Sequence, residues 1–143
     1  MWYFRKFDEL ELYDLEQIFR LRQSIFIIEQ MSFFEDIDGY DPEAIHIFYK
    51  ENEKIYSYCR ILDLRDKIIL GRVTVQNDKR ANGLGRELLL NSLEYLNKNY
   101  RDKDVHIVAM SYLKKFYESL GFESISDEYI MDNHPHEDMI IKR

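Results

Sequence analysis

The chain has 143 residues, of which 45% are hydrophobic and 33% are charged, and its formal net charge is −7. This length fits one folded domain over residues 1–143, and no run approaches the roughly 18 apolar residues of a membrane span. The negative charge argues against nucleic acid as a partner. Because Cys59 is the only cysteine and the first residues lack an apolar signal region, we expect a cytoplasmic protein without a disulfide and without a membrane partner.

The first half of the chain predicts a strand, a helix and a hairpin. Residues 2–7 are typical of a strand, and apolar residues at helical spacing predict a helix over residues 12–29. Arg22 interrupts the apolar stripe of this helix, and two interpretations follow: its charged end extends into water, or it places a positive charge at a substrate entrance. Residues 45–49 and 55–62 predict a hairpin in which Cys59 is a small buried side chain.

Residues 30–43 lack periodicity and predict a loop that contains Asp36, Asp38 and Asp41. Their spacing resembles part of a calcium loop, but the remaining ligands and the terminal glutamate are missing, so we predict no metal site. One interpretation of the segment is a solvated acidic loop. The other is an acidic rim that attracts an amine substrate.

The second half of the chain alternates strands with helices. Residues 67–76 and 105–109 predict strands, while residues 83–99 and 112–120 predict helices, the second of which ends at Gly121. We expect the last strands over residues from 122 onward and over residues 139–141, with residues 131–137 between them. The order β-α-β-β-β-α-β-α-β-β predicts an α/β (α+β) fold in which helices cover the faces of a mixed sheet.

A glycine-containing turn between a strand and a helix is the clearest functional motif. The turn contains Gly83 and Gly85, and there the backbone N–H groups and the helix N-terminus favour an anion. A P-loop is excluded because Gly85 is followed by Arg86 and not by Lys and Ser or Thr. A dinucleotide fingerprint is excluded because the third glycine is missing and the motif lies past the middle of the chain. The turn therefore predicts a pyrophosphate-binding loop that is neither a P-loop nor a dinucleotide-binding fingerprint.

The segment Arg80-Ala81-Asn82-Gly83-Leu84-Gly85 resembles the acyl-CoA motif of the GNAT superfamily of N-acetyltransferases, although many members have glycine at the position of Ala81. The string Phe116-Tyr117-Glu118-x-Leu120-Gly121-Phe122 is similar to a second motif of that family. Similarity to the ElaA-like subgroup covers nearly the whole chain, including residues 36–41, 71–73 and 134–136, with Met110 where a glutamine is common. The resemblance implies the GNAT fold, a mostly antiparallel, twisted, mixed sheet flanked by helices.

The resemblance implies an N-acetyltransferase that moves an acetyl group from acetyl-CoA to an amine of a small molecule or a peptide. An acyl-CoA-binding sensor without turnover is the alternative, and exposed members of the 11 Tyr and 9 Phe are compatible with a homodimer. In this family the strand that precedes the glycine-containing loop contacts the pantetheine arm of CoA, and the loop contacts the pyrophosphate of CoA. The implied cofactor-binding residues are Val73, Thr74, Val75, Arg80, Ala81, Asn82, Gly83, Leu84, Gly85 and Arg86.

Tyr117 and His136 are the predicted catalytic residues. By helical spacing alone Tyr117 lies off the centre of the apolar face and would be a packing residue, whereas the family motif implies a general acid toward the sulfur of CoA. The strand of the CoA motif carries no carboxylate, so the general base stays open among Glu29, Asp38, His46 and His136. The enzyme could also bind the free amine from solution without a dedicated base. We favour His136, which lies in a polar stretch where packing does not require a histidine, over His46, whose strand position is more typical of a structural residue.

Overall fold

A computed structural model describes residues 1–78, 80 and 82–143. The strands are β1 (Trp2–Lys6), β2 (Ile45–Glu51), β3 (Lys54–Asp63), β4 (Lys67–Val75), β5 (Asp104–Met110), β6 (Glu123–Ser124), β7 (Tyr129–Met131) and β8 (His134–Ile141). The helices are α1 (Leu12–Arg22), a π-helix over Gln23–Glu29, α2 (Leu84–Asn99) and α3 (Lys114–Glu118), and short 3₁₀-helices cover Phe7–Glu9, Asp41–Glu43, Asn77–Asn82 and Ser111–Leu113. Within this described part of the chain, no helix has the length and apolarity to cross a membrane.

The strands of the described residues form one sheet in the order β1-β2-β3-β4-β5-β8-β6, and β7 pairs with β8 outside this path. β4 and β5 run parallel, and every other paired set is antiparallel. The mostly antiparallel mixed sheet with flanking helices confirms the predicted fold class.

Two hydrophobic cores lie on opposite faces of the sheet. One contains Ile18, Leu21, Ile25, Phe48, Ile55 and Tyr58. The other includes Ile47, Cys59, Ile61, Leu88, Leu89 and Tyr117. Since successive residues of a strand point to opposite faces, neighbours on β2 and β3 enter different cores. Consequently α1 covers one face, and α2 and α3 cover the other.

A β-bulge interrupts β4 near the centre of the sheet. Opposite Cys59 of β3, β4 has two residues, Arg72 and Val73, where regular pairing would have one. Arg72 has a φ of +53°, in the left-handed region that is uncommon for residues other than glycine. The bulge therefore turns the main chain of β4 locally and removes two residues from the ladder.

β4 and β5 pair at one end only. Their parallel register ends at Ile69 and His106, while the strands continue to Val75 and Met110. Because no register partner joins them beyond this point, a gap opens between the two strands toward their carboxyl ends. Main-chain groups of β4 that face this gap are available to a ligand.

Two helices are shorter than the sequence predicts. The helix predicted over residues 12–29 is α-helical only to Arg22 and continues as a π-helix, a form that is often found at functional sites. The helix predicted over residues 112–120 begins as a 3₁₀-helix and is α-helical only over Lys114–Glu118. It ends as expected near Gly121, whose φ is +101°, with the Phe122 N–H donating to the Tyr117 carbonyl over 3.2 Å.

Cys59 is fully buried, and its Sγ lies 3.1 Å from the Ser92 hydroxyl. Burial raises the pKa of the Cys59 thiol to about 12. The thiol is therefore neutral at physiological pH, which confirms the prediction of a small buried side chain.

Candidate active site

Gly83 separates the 3₁₀-helix Asn77–Asn82 from α2. Its φ is +76°, and a Cβ added there would meet no described atom within 4 Å. α2 begins immediately afterwards, with the N–H of Glu87 donating to the carbonyl of Gly83 over 3.1 Å. The N–H groups of residues 84–86 therefore have no acceptor within the helix. Open space beside free amide donors suits a pyrophosphate group.

Gly85 lies against the end of β4. An added Cβ would be 3.5 Å from Cγ2 of Val75, so the first turn of α2 packs closely on the strand that ends there. Asn82 is exposed beside this turn, and Leu84 is buried beneath it. Ala81, which the sequence analysis also assigned to the cofactor, lies outside the described residues.

Arg80 joins the glycine turn to the π-helix. Its Nε donates to the Val75 carbonyl over 3.1 Å, and its guanidinium donates two hydrogen bonds to the carboxylate of Glu29. These hydrogen bonds lower the pKa of Glu29, which weakens it as a general base. Arg86, in the first turn of α2, donates to the Ser119 hydroxyl over 3.0 Å.

The predicted strand residues 73–75 line the gap between β4 and β5 with their main chain. Thr74 is buried, and its hydroxyl donates to the Tyr58 carbonyl over 3.2 Å, so its side chain is committed to the fold. Val73 packs against the core beneath α2 and α3. Contacts to a ligand from this strand must therefore come mainly from backbone N–H and C=O groups.

Tyr117 is the buried residue of α3, with only 6% of its surface exposed. The prediction that it lies off the centre of the apolar face is wrong, because Leu113, Phe116 and Leu120 are only partly buried. The segment contains just five α-helical residues after a 3₁₀ turn, so the periodicity of a long helix does not apply. The Tyr117 ring meets that of Phe122 edge-on, with 5.9 Å between centroids.

The Tyr117 hydroxyl has no hydrogen-bond partner among the described residues. Burial raises the pKa of Tyr117, and the nearby Cys59 thiol adds to this effect. The hydroxyl therefore stays protonated at neutral pH. Since Cys59 lies opposite the bulge of β4, Tyr117 belongs to the neighbourhood where the strands separate.

His136 lies on β8, opposite Met110 at the carboxyl end of β5. Its Nδ1 is 2.7 Å from the carbonyl of His134, and its ring stacks on Tyr129. A carbonyl oxygen only accepts hydrogen bonds, so Nδ1 carries the proton and the lone pair is on Nε2. Nε2 has no hydrogen-bond partner within the described part of the chain, which leaves it available to accept a proton.

Two other base candidates are engaged in the fold. His46 is fully buried between the Tyr58 hydroxyl and the Asp41 carbonyl, at 2.7 and 2.9 Å, and burial lowers its pKa. Partial burial alone would raise the pKa of Asp38, but hydrogen bonds from Arg60 outweigh this effect and the pKa falls to about 2. These contacts favour structural roles for both residues.

Arg22 is fully buried in an ion cluster that the sequence did not predict. Its Nε is 3.0 Å from Asp36, and its Nη1 is 2.8 Å from Asp41. Its side chain is 0% exposed, so it neither extends into water nor presents its charge at a substrate entrance, and both interpretations of Arg22 are wrong. An arginine within an apolar stripe signals a buried partner, but spacing cannot say which carboxylate pairs with it.

The same cluster corrects both interpretations of the loop over residues 30–43. Arg60 binds Asp38 with two hydrogen bonds, at 2.9 and 2.6 Å, and also contacts Asp41. Arg72 pairs with both Asp36 and Asp38. The three carboxylates are therefore neutralised by arginines and are neither a solvated acidic surface nor a free rim for an amine.

The low pKa of Asp38 predicts a specific loss of stability in acid. Its folded pKa of about 2 is below the unfolded value of about 3.9, so its stabilisation is complete above pH 4 and is lost as pH falls toward 2. Between pH 5 and pH 3 we expect wild type to lose about 1 kcal/mol more unfolding free energy than Asp38→Asn, after allowance for partial exposure. Urea unfolding at both pH values measures the difference. Parallel losses in the two proteins would contradict the assignment.

A separate cavity of about 580 Å³ lies away from this site. It is lined by Lys6, Phe7, Glu43, Ile61, Asp63 and Tyr100, among others. These residues surround the end of the sheet where β4 begins, whereas the glycine turn follows the end of β4. The gap between β4 and β5 is therefore the better candidate for the active site.

The family model of the acetyltransferase (GNAT) domain matches residues 13–143. The chain therefore belongs to the GNAT family of acyltransferases. Within this family it is similar to ElaA from Escherichia coli, with 33% identity over 133 residues that cover 90% of this chain and 87% of ElaA. The crystal structure of E. coli ElaA matches with a TM-score of 0.95 and 31% identity over 99% of each chain.

Two further relatives support this placement. A UPF0039 protein of Schizosaccharomyces pombe is 33% identical over 140 residues, which cover 96% of this chain and 91% of the relative. An acyl-CoA N-acyltransferase from Pseudomonas aeruginosa has a crystal structure that matches with a TM-score of 0.93 and 26% identity over 98% of each chain. The resemblance to the ElaA-like subgroup is thereby confirmed.

Proposed function

We propose that this protein transfers an acetyl group from acetyl-CoA to an amine of a small molecule or a peptide. The gap between β4 and β5 is the observation that carries the proposal, because it runs from the bulge at Arg72 and Val73 to the glycine turn. A pantetheine arm laid in this gap would meet unpaired main-chain groups of β4. The similar P. aeruginosa protein, described as an acyl-CoA N-acyltransferase, supports an acyl-CoA donor.

The glycine turn would hold the pyrophosphate. The amides of residues 84–86 supply donors at a helix N-terminus, and the open space beside Gly83 accommodates the anion. Arg80 would release the Glu29 carboxylate and bind a phosphate in its place, because both groups accept two parallel hydrogen bonds from a guanidinium. Glu29 is thus a neighbour of the cofactor in this proposal and not the general base.

The residues around the bulge would carry the transfer. An alkyl amine has a pKa of about 10.4, so it must lose a proton before it attacks the thioester carbonyl. His136 Nε2 would accept that proton, directly or through water. The Val73 amide would polarise the carbonyl oxygen as the C–N bond forms and the C–S bond breaks.

Tyr117 would stabilise the departing sulfur. Its raised pKa keeps the hydroxyl protonated, and no hydrogen bond to a described residue competes for the proton. A thiol has a pKa of about 8.5, below that of Tyr117, so the hydroxyl would serve as a strong hydrogen-bond donor to the thiolate. As the products leave and the site opens to water, the sulfur of CoA would depart as the thiolate or take a proton from water, Tyr117 would keep its proton, and the proton held by His136 would pass to water.

The first experiment is calorimetric titration with acetyl-CoA, followed by thiol release from the same preparation. The amine panel contains spermidine, a peptide with an internal lysine, a peptide with a free N-terminus and an aminoglycoside. We expect saturable binding and thiol release with at least one amine. Binding without release would favour the acyl-CoA sensor, and no binding would overturn the proposed site.

A further inference from the structure

Arg72 lies between the acyl-CoA side of the proposed site and the loop over residues 30–43. Val73, the next residue, packs into the core beneath α2 and α3, whereas Arg72 extends to the opposite face, where the loop over residues 30–43 lies. Neither residue has a register partner on β3 or β5. A single peptide unit of the bulge therefore connects the acyl-CoA side of the sheet with this loop.

The side chain of Arg72 is held by four contacts from the loop. Its Nη2 donates to the Asp36 carbonyl over 3.1 Å and to the Asp38 carboxylate over 3.2 Å. Its Nε forms a close ion pair with the Asp36 carboxylate at 2.8 Å, although the two groups are misaligned for a hydrogen bond. The ring of Phe34 lies 5.4 Å from the guanidinium carbon.

These contacts coincide with an unusual main-chain conformation. Arg72 has a φ of +53°, which residues with a Cβ rarely adopt unless their surroundings impose it. The surroundings here are rigid because Asp36 and Asp38 are themselves bound by Arg22 and Arg60. The loop thus fixes the position of the guanidinium, and through it the turn of the strand.

We propose that Arg72 is a positioning residue whose ion pairs with the loop over residues 30–43 hold the bulge in the conformation that aims the Val73 amide at the thioester carbonyl. This inference rests on the proposed function. It makes the ion cluster part of the acetyl-recognition machinery, because the cluster sets the direction of a hydrogen-bond donor that contacts the acetyl group. CoA lacks this carbonyl, so the amide distinguishes acetyl-CoA from CoA.

The test compares the affinities of acetyl-CoA and CoA by calorimetry. We expect wild type to bind acetyl-CoA about 2- to 10-fold more tightly than CoA, as one additional hydrogen bond would provide. In Arg72→Met this ratio should fall to about 1, through loss of acetyl-CoA affinity with CoA affinity retained. A folding defect alone would not change the ratio. Arg20→Met is the matched control, because it removes an arginine that pairs with Glu16 on the exposed surface of α1, and it should keep the wild-type ratio.

Two further variants keep the inference testable. Arg72→Gly removes the ion pairs but adopts a positive φ without a steric cost, so a ratio of about 1 in this variant as well would show that the ion pairs, and not the backbone strain, hold the bulge. Arg72→Lys keeps one charge and should give an intermediate ratio, and it replaces Arg72→Met in the test if that variant does not fold. A wild-type ratio in Arg72→Met or in Arg72→Gly would overturn the inference. Wild-type protein that binds both ligands equally would also overturn it, whereas wild-type protein that binds neither would overturn the proposed function itself.

Discussion

Replacement of Tyr117 by phenylalanine is expected to lower kcat by about 100-fold or more while acetyl-CoA affinity changes by less than about twofold. The substitution removes only the hydroxyl, which would contact the sulfur as negative charge develops there. Because the hydroxyl has no hydrogen bond to the described residues, its loss leaves no partner unsatisfied. The edge-on contacts of the ring with Phe116 and Phe122 are retained, so the fold should be preserved. Thiol-release kinetics and calorimetry together measure the two effects.

Tyr13→Phe is the matched control for this experiment. Tyr13 lies on α1, on the opposite face of the sheet from α3, 85% of its surface is exposed, and its hydroxyl has no hydrogen bond to a described residue. Its replacement should leave both kcat and affinity close to wild type. Equal kcat values for wild type and Tyr117→Phe would remove the hydroxyl from the chemistry and leave Tyr117 as a packing residue.

The substitution Gly83→Val is expected to weaken acetyl-CoA binding by at least about 100-fold. Gly83 has a φ of +76°, which strains any residue with a Cβ, and the added side chain would occupy the open space beside the free amides of α2. No described protein atom fills this space, so the clash would be with the ligand. Calorimetric titration with acetyl-CoA measures the loss.

Gly39→Val separates backbone strain from ligand exclusion. Gly39 also has a positive φ, +89°, and also has no described atom within 4 Å of an added Cβ, but it lies in the loop over residues 30–43. Both variants should lose similar stability in urea, whereas only Gly83→Val should lose affinity for CoA, whose pyrophosphate does not depend on the loop that holds Arg72. If Gly83→Val bound CoA as tightly as Gly39→Val does, the glycine turn would not be the pyrophosphate site.

The proposed roles of Tyr117 and His136 depend on groups without a partner in the described structure. The Tyr117 hydroxyl is a donor and the His136 Nε2 is an acceptor, so the pair provides the opposite functions that acyl transfer to an amine requires. The remaining base candidates, Glu29, Asp38 and His46, are bound to other residues of the fold. This contrast between free and engaged groups supports the proposal that His136 is the general base.

The features that depend on short segments were predictable from the amino-acid sequence. Periodicity predicted most of the strands and the location of the helices, but residues 134–137, which it placed between the last strands, belong to β8. The glycine turn between β4 and α2 indicated an anion site. The residues of this turn adjoin one another in the chain, so their geometry follows from local conformational preferences. The resemblance to the GNAT family rests on the same continuous motifs.

Which distant charges meet became clear only from the folded structure. Arg22, Arg60 and Arg72 come from α1, β3 and β4, and they converge on three aspartates of a loop that resembles a solvated surface in the sequence. The pairing of Arg80 with Glu29 likewise joins residues 51 positions apart. Periodicity reports which face of an element is buried, but it carries no information about which charged side chains share that buried space. Coulombic attraction and desolvation depend on distance in the folded molecule, and the packing of α1 and its loop against the sheet sets that distance.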